Sequence, residues 1–163
     1  MADNFNHSVG CLVVRNREVL LVRHTYGRAR GKLLIPGGYL QEGEMPEQAA
    51  VREVWEETGV EAQICSLLAM RFSPADWYAI FRLDYRGGEP RSDQKENSEA
   101  AFFGWEEALA RDDLTPLSRE LLLRFGGGMG ELVLDPFCPS YWKPGQWHLY
   151  GGKSVASGEN FLA

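Results

Sequence analysis

Cysteine is scarce: Cys11, Cys65 and Cys138 are odd in number, far apart in the 163 residues and never in a CxxC pair. That excludes a disulfide framework and argues against a zinc site, leaving small buried or half-buried side chains as their reading. No run approaches the roughly eighteen apolar residues that a bilayer span needs. The start of the chain lacks the basic residues, apolar stretch and small-residue cleavage site of a secretory leader. The expectation is a cytoplasmic protein with no membrane partner. Positive charge is also in short supply, with 17 Lys and Arg against 23 Asp and Glu and a formal net charge of −6, which disfavours a nucleic-acid partner. What is present is ordinary: 44% hydrophobic and 25% charged residues suit one soluble domain with a real core.

The acidity is local. Residues 38–60 hold Glu42, Glu44, Glu47, Glu53, Glu56 and Glu57 against Arg52, a net of −5, which leaves −1 for the remainder. Such a patch concentrates Mg²⁺ or Mn²⁺. Just upstream the sign reverses, with Arg15, Arg17, Arg23, Arg28, Arg30 and Lys32 facing only Glu18. A metal site beside a basic flank suits a phosphorylated small molecule, with Arg23, Arg28 and Lys32 as phosphate contacts.

Aliphatic, β-branched runs at 8–15 and 18–23 read as a strand pair, and 24–31, which includes His24, as an exposed loop. A short strand at 33–35 is expected to stop at Pro36-Gly37-Gly38, where the two glycines allow close backbone approach to a phosphate. Pro46 fits a first helical turn and Gly59 the left-handed position beyond the last, predicting a helix over 46–58. On its helical period Ala50, Val51, Val54, Trp55 and Thr58 form one side, expected to be buried, and Glu53, Glu56 and Glu57 an acidic front. Strands are expected at 62–71, 77–85 and 99–105, and helices at 106–110 and 118–125. From Gly126 onward the composition shifts, with 8 of the 18 glycines and the aromatics Phe137, Tyr141, Trp142, Trp147, Tyr150 and Phe161. This stretch is expected to pack on the domain or on a partner subunit, as in a homodimer.

Hydrolysing a diphosphate requires neutralised phosphate charge, a positioned water and an acceptor for its proton. Hard carboxylate oxygens on a divalent cation meet the first need, and a nearby carboxylate meets the others. Gly38, Glu44, Arg52, Glu53, Glu56, Glu57 and Gly59 stand in the order and spacing of the Nudix box, so the chain resembles the Nudix (MutT-like) hydrolases. The resemblance implies an α/β fold, an α/β/α sandwich with a mixed β-sheet, over residues 1–125, with 126–163 as a C-terminal extension. It implies Mg²⁺ or Mn²⁺ held by Glu53, Glu56 and Glu57, with Arg52 and Glu44 paired to orient the ligand helix. A further family carboxylate, placed shortly before a tryptophan on a later strand, maps onto Glu99 and Trp105. The general base lies between Glu53 and Glu57, helped by Glu99.

The implied reaction is attack by water on a nucleoside diphosphate linked to a moiety X. Pro74 and Tyr78 loosely satisfy the family's signatures for ADP-ribose and for dinucleoside polyphosphates respectively, and ADP-ribose or a nucleotide sugar is slightly favoured. Gly37 and Gly38 are expected beside the phosphates, and Trp77 and Tyr78 are candidates to stack on a base or sugar. Two other readings stand beside the hydrolase. A sensing domain without turnover would be expected to lose box carboxylates, and none is missing. The isoprenoid diphosphate isomerase branch needs a cysteine and histidines in the site, which three scattered cysteines and His7, His24 and His148 do not obviously supply.

Overall fold

The computed structural model describes residues 6–136, 139, 140, 143, 145 and 148–151. Cys138 and the tail aromatics Phe137, Tyr141, Trp142, Trp147 and Phe161 lie outside the described residues. Two long runs open the chain, β1 (Asn6–Arg15) and β2 (Glu18–His24), joined through Asn16 at positive φ and paired antiparallel at Val14–Val19 and Arg15–Glu18. Beyond those pairs they diverge. The other half of β1 pairs with β4 (Gly37–Tyr39), while β2 pairs with β3 (Leu33–Leu34) and, along its length, with β7 (Asn97–Gly104). On its other edge β1 runs parallel to β6 (Asp76–Gly87), which pairs antiparallel with β5 (Glu61–Phe72). The expected mixed sheet is present, and it splits where β1 and β2 part.

The expected stop is present: β3 ends at Leu34, before Pro36, and with it the pairing to β2. The chain then changes partner, the Pro36 carbonyl accepting from the Cys11 N–H at 2.9 Å and Gly37–Tyr39 forming β4 against β1, with Gly37 opposite Gly10, so the two glycines lie in a strand of their own.

Side-chain alternation along the strands builds two cores. Val9, Cys11, Val13, Leu20, Phe81 and Leu83 face α1 (Pro46–Thr58) and meet its Ala49, Ala50 and Val54. Leu12, Val19, Leu21, Ile80 and Phe103 face the other layer, α2 (Trp105–Ala110) and α3 (Pro116–Gly126), and meet Ala108, Leu121 and Leu122. The sheet therefore lies between helices. At its outer edge Leu132 exchanges two backbone hydrogen bonds with Leu67 of β5, at 2.9 and 3.0 Å. There the chain enters a hairpin of β8 (Val133–Asp135) and β9 (Leu149–Gly151), whose Tyr150 packs on Phe81. Among the described residues, no helix is long and apolar enough to cross a membrane.

Candidate active site

Helix α1 spans the predicted residues, opening on Pro46 and closing on Gly59 at φ 70°. Its buried side differs from the expectation. Ala49, Ala50, Glu53, Val54, Glu57 and Thr58 are buried, whereas Trp55 is 54% and Val51 37% exposed. Two of the three glutamates expected on the front thus point into the protein, and only Glu56 faces out. Glycines make this fit. A Cβ on Gly38 would stand 2.4 Å from the Glu53 carboxyl carbon, so the Glu53 head group occupies the space that any other residue of β4 would fill. Glu57 receives the Gly37 N–H on Oε2 at 3.2 Å, while its Oε1 is buried with no hydrogen-bond partner.

An orphaned carboxylate oxygen in a dry site is costly, and the cost appears in its acidity. Burial, reinforced by the charge of Glu53, pushes Glu57 up to about 8, and burial also raises Glu53. Arg52 offsets part of this charge. Its Nη1 donates to Glu53 Oε1 at 2.7 Å and Glu56 Oε2 at 3.0 Å, and its Nε and Nη2 grip both oxygens of Glu44. Nη2 also holds the Tyr39 carbonyl at 3.1 Å. The expected Arg52–Glu44 pair is therefore one arm of a network that fixes α1, β4 and the intervening loop together.

Glu53, Glu56 and Glu57 share a cavity of about 350 Å³ with Trp55, Asp93, Lys95 and Glu96. Glu99 is not there. A bulge pairs His24 with Asn97 and Arg23 with Glu99, so Ser98 is passed over and Glu99 turns toward the α2–α3 side. Its carboxylate takes the Arg23 Nε at 2.7 Å. The acids that the loop does bring to the cavity are Asp93 and Glu96. Asp93 Oδ1 accepts the N–H groups of Lys95, Glu96 and Asn97, which shapes the turn. The Glu96 side chain accepts no hydrogen bond among the described residues and is exposed. Buried Asn97 donates to the Glu57 carbonyl at 2.9 Å and so ties this loop to the last turn of α1. Glutamates on an unstructured-looking polar loop carry no sequence signal that singles out Glu96.

A second cavity, about 510 Å³, lies on the other side of Gly38 and is lined by Gly37, Gly38, Arg28 and Tyr78 of the expected substrate residues, with His24, Tyr26, Tyr39, Arg71 and Asp76. The remaining candidates are elsewhere. Arg23 is held by Glu99, Asp113 and the Gly31 carbonyl. Lys32 lines a separate groove with Asp112 and Thr115. Trp77 alternates to the opposite face from Tyr78 and meets His7 and Phe72 edge-on. Tyr78 is half-buried, its hydroxyl end in the space left by Gly10 and its ring beneath the Arg71 guanidinium at 5.2 Å. It forms a wall of the cavity.

Hard, crowded carboxylates with one buried oxygen unpartnered are the donor set that Mg²⁺ or Mn²⁺ takes. Arg52 stands between Glu53 and Glu56, and among the described residues no three acids, histidines or cysteines converge on one point. A cation here would compete with Arg52 for Glu53 and Glu56, while Glu57 has an oxygen to give.

Fold and site together define an α/β protein with a carboxylate-lined helix set against a glycine strand beside a substrate-sized cavity. The family model described as the NUDIX domain matches residues 5–125, and the chain belongs to the Nudix hydrolase family. It is 33% identical over 115 residues to Nudix hydrolase 2 of Arabidopsis thaliana, covering 64% of this chain and 41% of that protein. It is 32% identical over 102 residues to the ADP-ribose pyrophosphatase of Methanocaldococcus jannaschii, covering 59% of this chain and 60% of that protein. A solved NUDIX hydrolase from Nitrosomonas europaea superposes with a TM-score of 0.67 at 26% identity, covering 76% of this chain and 90% of that one. The chain spans less than two thirds of the length of these two curated relatives.

Proposed function

We propose that this protein is a Mg²⁺- or Mn²⁺-dependent hydrolase that cleaves the diphosphate linkage of a nucleoside diphosphate joined to a moiety X, with ADP-ribose or a nucleotide sugar favoured. The observation that carries the reading is the buried, unpartnered oxygen of Glu57, whose other oxygen takes the N–H of Gly37, a residue that also lines the substrate-sized pocket. Glu53, Glu56 and Glu57 would hold the cation, which when bound neutralises phosphate charge and makes a coordinated water more acidic. Arg52 keeps Glu53 in place and steadies β4 through the Tyr39 carbonyl. Glu96 is the uncommitted carboxylate of the cavity and takes the proton from the attacking water. Arg28, whose side chain has no partner among the described residues, meets phosphate charge from the pocket side. Water adds to one phosphorus, the bridging oxygen leaves with the other, and the products are a nucleoside monophosphate and phospho-X. The name of the Methanocaldococcus relative supports the ADP-ribose preference.

The test is a panel of ADP-ribose, sugar nucleotides, dinucleoside polyphosphates and nucleoside triphosphates, assayed with Mg²⁺, with Mn²⁺ and with chelator. Metal-dependent release of nucleoside monophosphate is the expected result. No turnover on any member would instead favour a nucleotide-sensing role.

A further inference from the structure

Two tyrosines of the pocket are exposed where folding gives no reason for it: Tyr26 at 52% and Tyr39 at 64%. Each is held by its backbone while its ring stays available. Tyr26 lies in the loop between β2 and β3, whose base is closed by the Gly31 N–H to the His24 carbonyl at 2.8 Å and the His24 N–H to the Lys32 carbonyl at 3.2 Å. Thr25 fastens the same loop to the acidic one, giving its N–H to the Glu96 carbonyl at 3.0 Å and its Oγ1 proton to the Lys95 carbonyl at 2.9 Å. The half-buried His24 ring then stacks on Tyr26 with centroids 5.0 Å apart and planes 19° from parallel. One face of Tyr26 is thereby backed and its orientation set. Tyr39 ends β4, its carbonyl gripped by Arg52, and strand alternation turns its side chain opposite to Gly38, hence away from Glu53 and toward the pocket. Both rings line the pocket that Gly37 and Gly38 border, the glycines that lie against Glu57 and Glu53.

We propose that Tyr26, backed by His24, and Tyr39 form the nucleobase subsite, in which a planar base stacks on Tyr26 and Tyr39 closes over it. This rests on the reading of the ligand as a nucleotide and assigns its base to these two residues rather than to Trp77 and Tyr78. Stacking reads the π-face that every base has, so the subsite demands a base without choosing sharply among bases. Selectivity then falls to the group X and the deeper pocket.

The experiment separates binding from turnover. Affinities of the full chain for AMP and for ribose 5-phosphate are measured by calorimetry with Mg²⁺ present, for the parent and for Tyr26→Ala, Tyr39→Ala, Tyr26→Phe and Tyr39→Phe. The expected result is tighter binding of AMP than of ribose 5-phosphate, a loss of AMP affinity of about tenfold or more in each alanine variant, retention in the phenylalanine variants, and unchanged ribose 5-phosphate binding. An alanine variant within about twofold of the parent for AMP, an equal loss for both probes, or a parent that binds the two equally or not at all overturns the subsite. Tyrosine-dependent AMP binding without hydrolysis of any diphosphate sinks the proposed reaction and leaves the subsite standing; hydrolysis with tyrosine-independent AMP binding does the reverse.

Discussion

Gly37 donates its backbone N–H to one oxygen of the Glu57 carboxyl group at 3.2 Å, and the other oxygen is buried with no partner. The glycine backbone supplies half of what a buried carboxylate needs. A cation or a proton must supply the rest.

Stability without metal should therefore fall as pH rises. Glu57 sits at about 8 in the fold against an ordinary 4.5, because burial disfavours its charge. Between those values the folded chain keeps a proton that the unfolded chain has released, a contribution fully present below 4.5 and lost as pH rises through about 8. Thermal unfolding in chelator should show a midpoint that falls from about pH 5 to about pH 8 and levels off above, and Mg²⁺ should stabilise more at the alkaline end, since it displaces that proton. Glu57→Gln should flatten the pH dependence and abolish most of the Mg²⁺ effect. A variant with the parental slope would show that another group titrates.

The two glycines of β4 should fail in different ways. At Gly38 an added Cβ meets the Glu53 carboxyl group, the end of a side chain, whereas at Gly37 it meets the Val9 carbonyl oxygen at 2.1 Å, which is backbone. Gly37→Ala should cost stability on the scale of an overpacked core, about 1–3 kcal/mol or more. Gly38→Ala should shift the melting point much less while displacing Glu53, with metal affinity and kcat falling about tenfold to a hundredfold. Calorimetry and steady-state kinetics on the pair check this; a Gly38→Ala enzyme with parental metal affinity would remove Glu53 from the ligand set.

The ends of α1 are legible in the sequence because Pro46 and Gly59 each state a local backbone requirement, and the spacing from Gly38 to Gly59 carries the family. The buried side of α1 is not legible in the same way. Val51 and Trp55 offer a large apolar stripe and charge belongs by default in solvent, yet the stripe that packs is Ala49, Ala50, Glu53, Val54, Glu57 and Thr58. Small residues let the helix approach the sheet closely, and β4 meets its glutamates with glycines, which is a tertiary relation that no single window of sequence contains. Glu99 departs from its expected place for a similar reason: a single bulge between Arg23 and His24 decides which acids face α1, and bulges leave no mark in an alternating pattern.

That bulge yields a paired prediction. Glu96→Gln should lower kcat by about a hundredfold with little change in KM, the scale of losing a proton acceptor. Glu99→Gln should leave kcat within a few-fold and remove one partner of Arg23, a half-exposed ion pair worth about 0.5–1 kcal/mol. Kinetics and thermal unfolding on both variants decide between them. A large kcat loss at Glu99 with none at Glu96 would instead support Glu99 as the helping carboxylate that its spacing to Trp105 suggests.

The C-terminal hairpin makes its own contact with α1. Glu47, in the first turn of α1, accepts the Tyr150 hydroxyl proton on Oε1 at 2.7 Å, and His148 Nδ1 lies 2.6 Å from the same oxygen. The Tyr150 ring packs on Phe81 of the sheet at 5.9 Å. The hairpin therefore braces the end of α1 opposite to Glu57, more than two helical turns from Glu56 and Glu57, so its loss should reach stability before chemistry. Tyr150→Phe keeps the ring against Phe81 and removes only the hydrogen bond to a carboxylate, a loss of about 1–3 kcal/mol. For a chain of this size that is a melting-point drop of roughly 2–10 °C. Tyr150→Ala should cost more, because the Phe81 contact goes as well, while kcat on whichever substrate the panel identifies stays within about twofold in both variants. A Tyr150→Phe enzyme with unchanged melting and depressed kcat would mean instead that the hairpin acts on the position of Glu53 and Glu57 through α1.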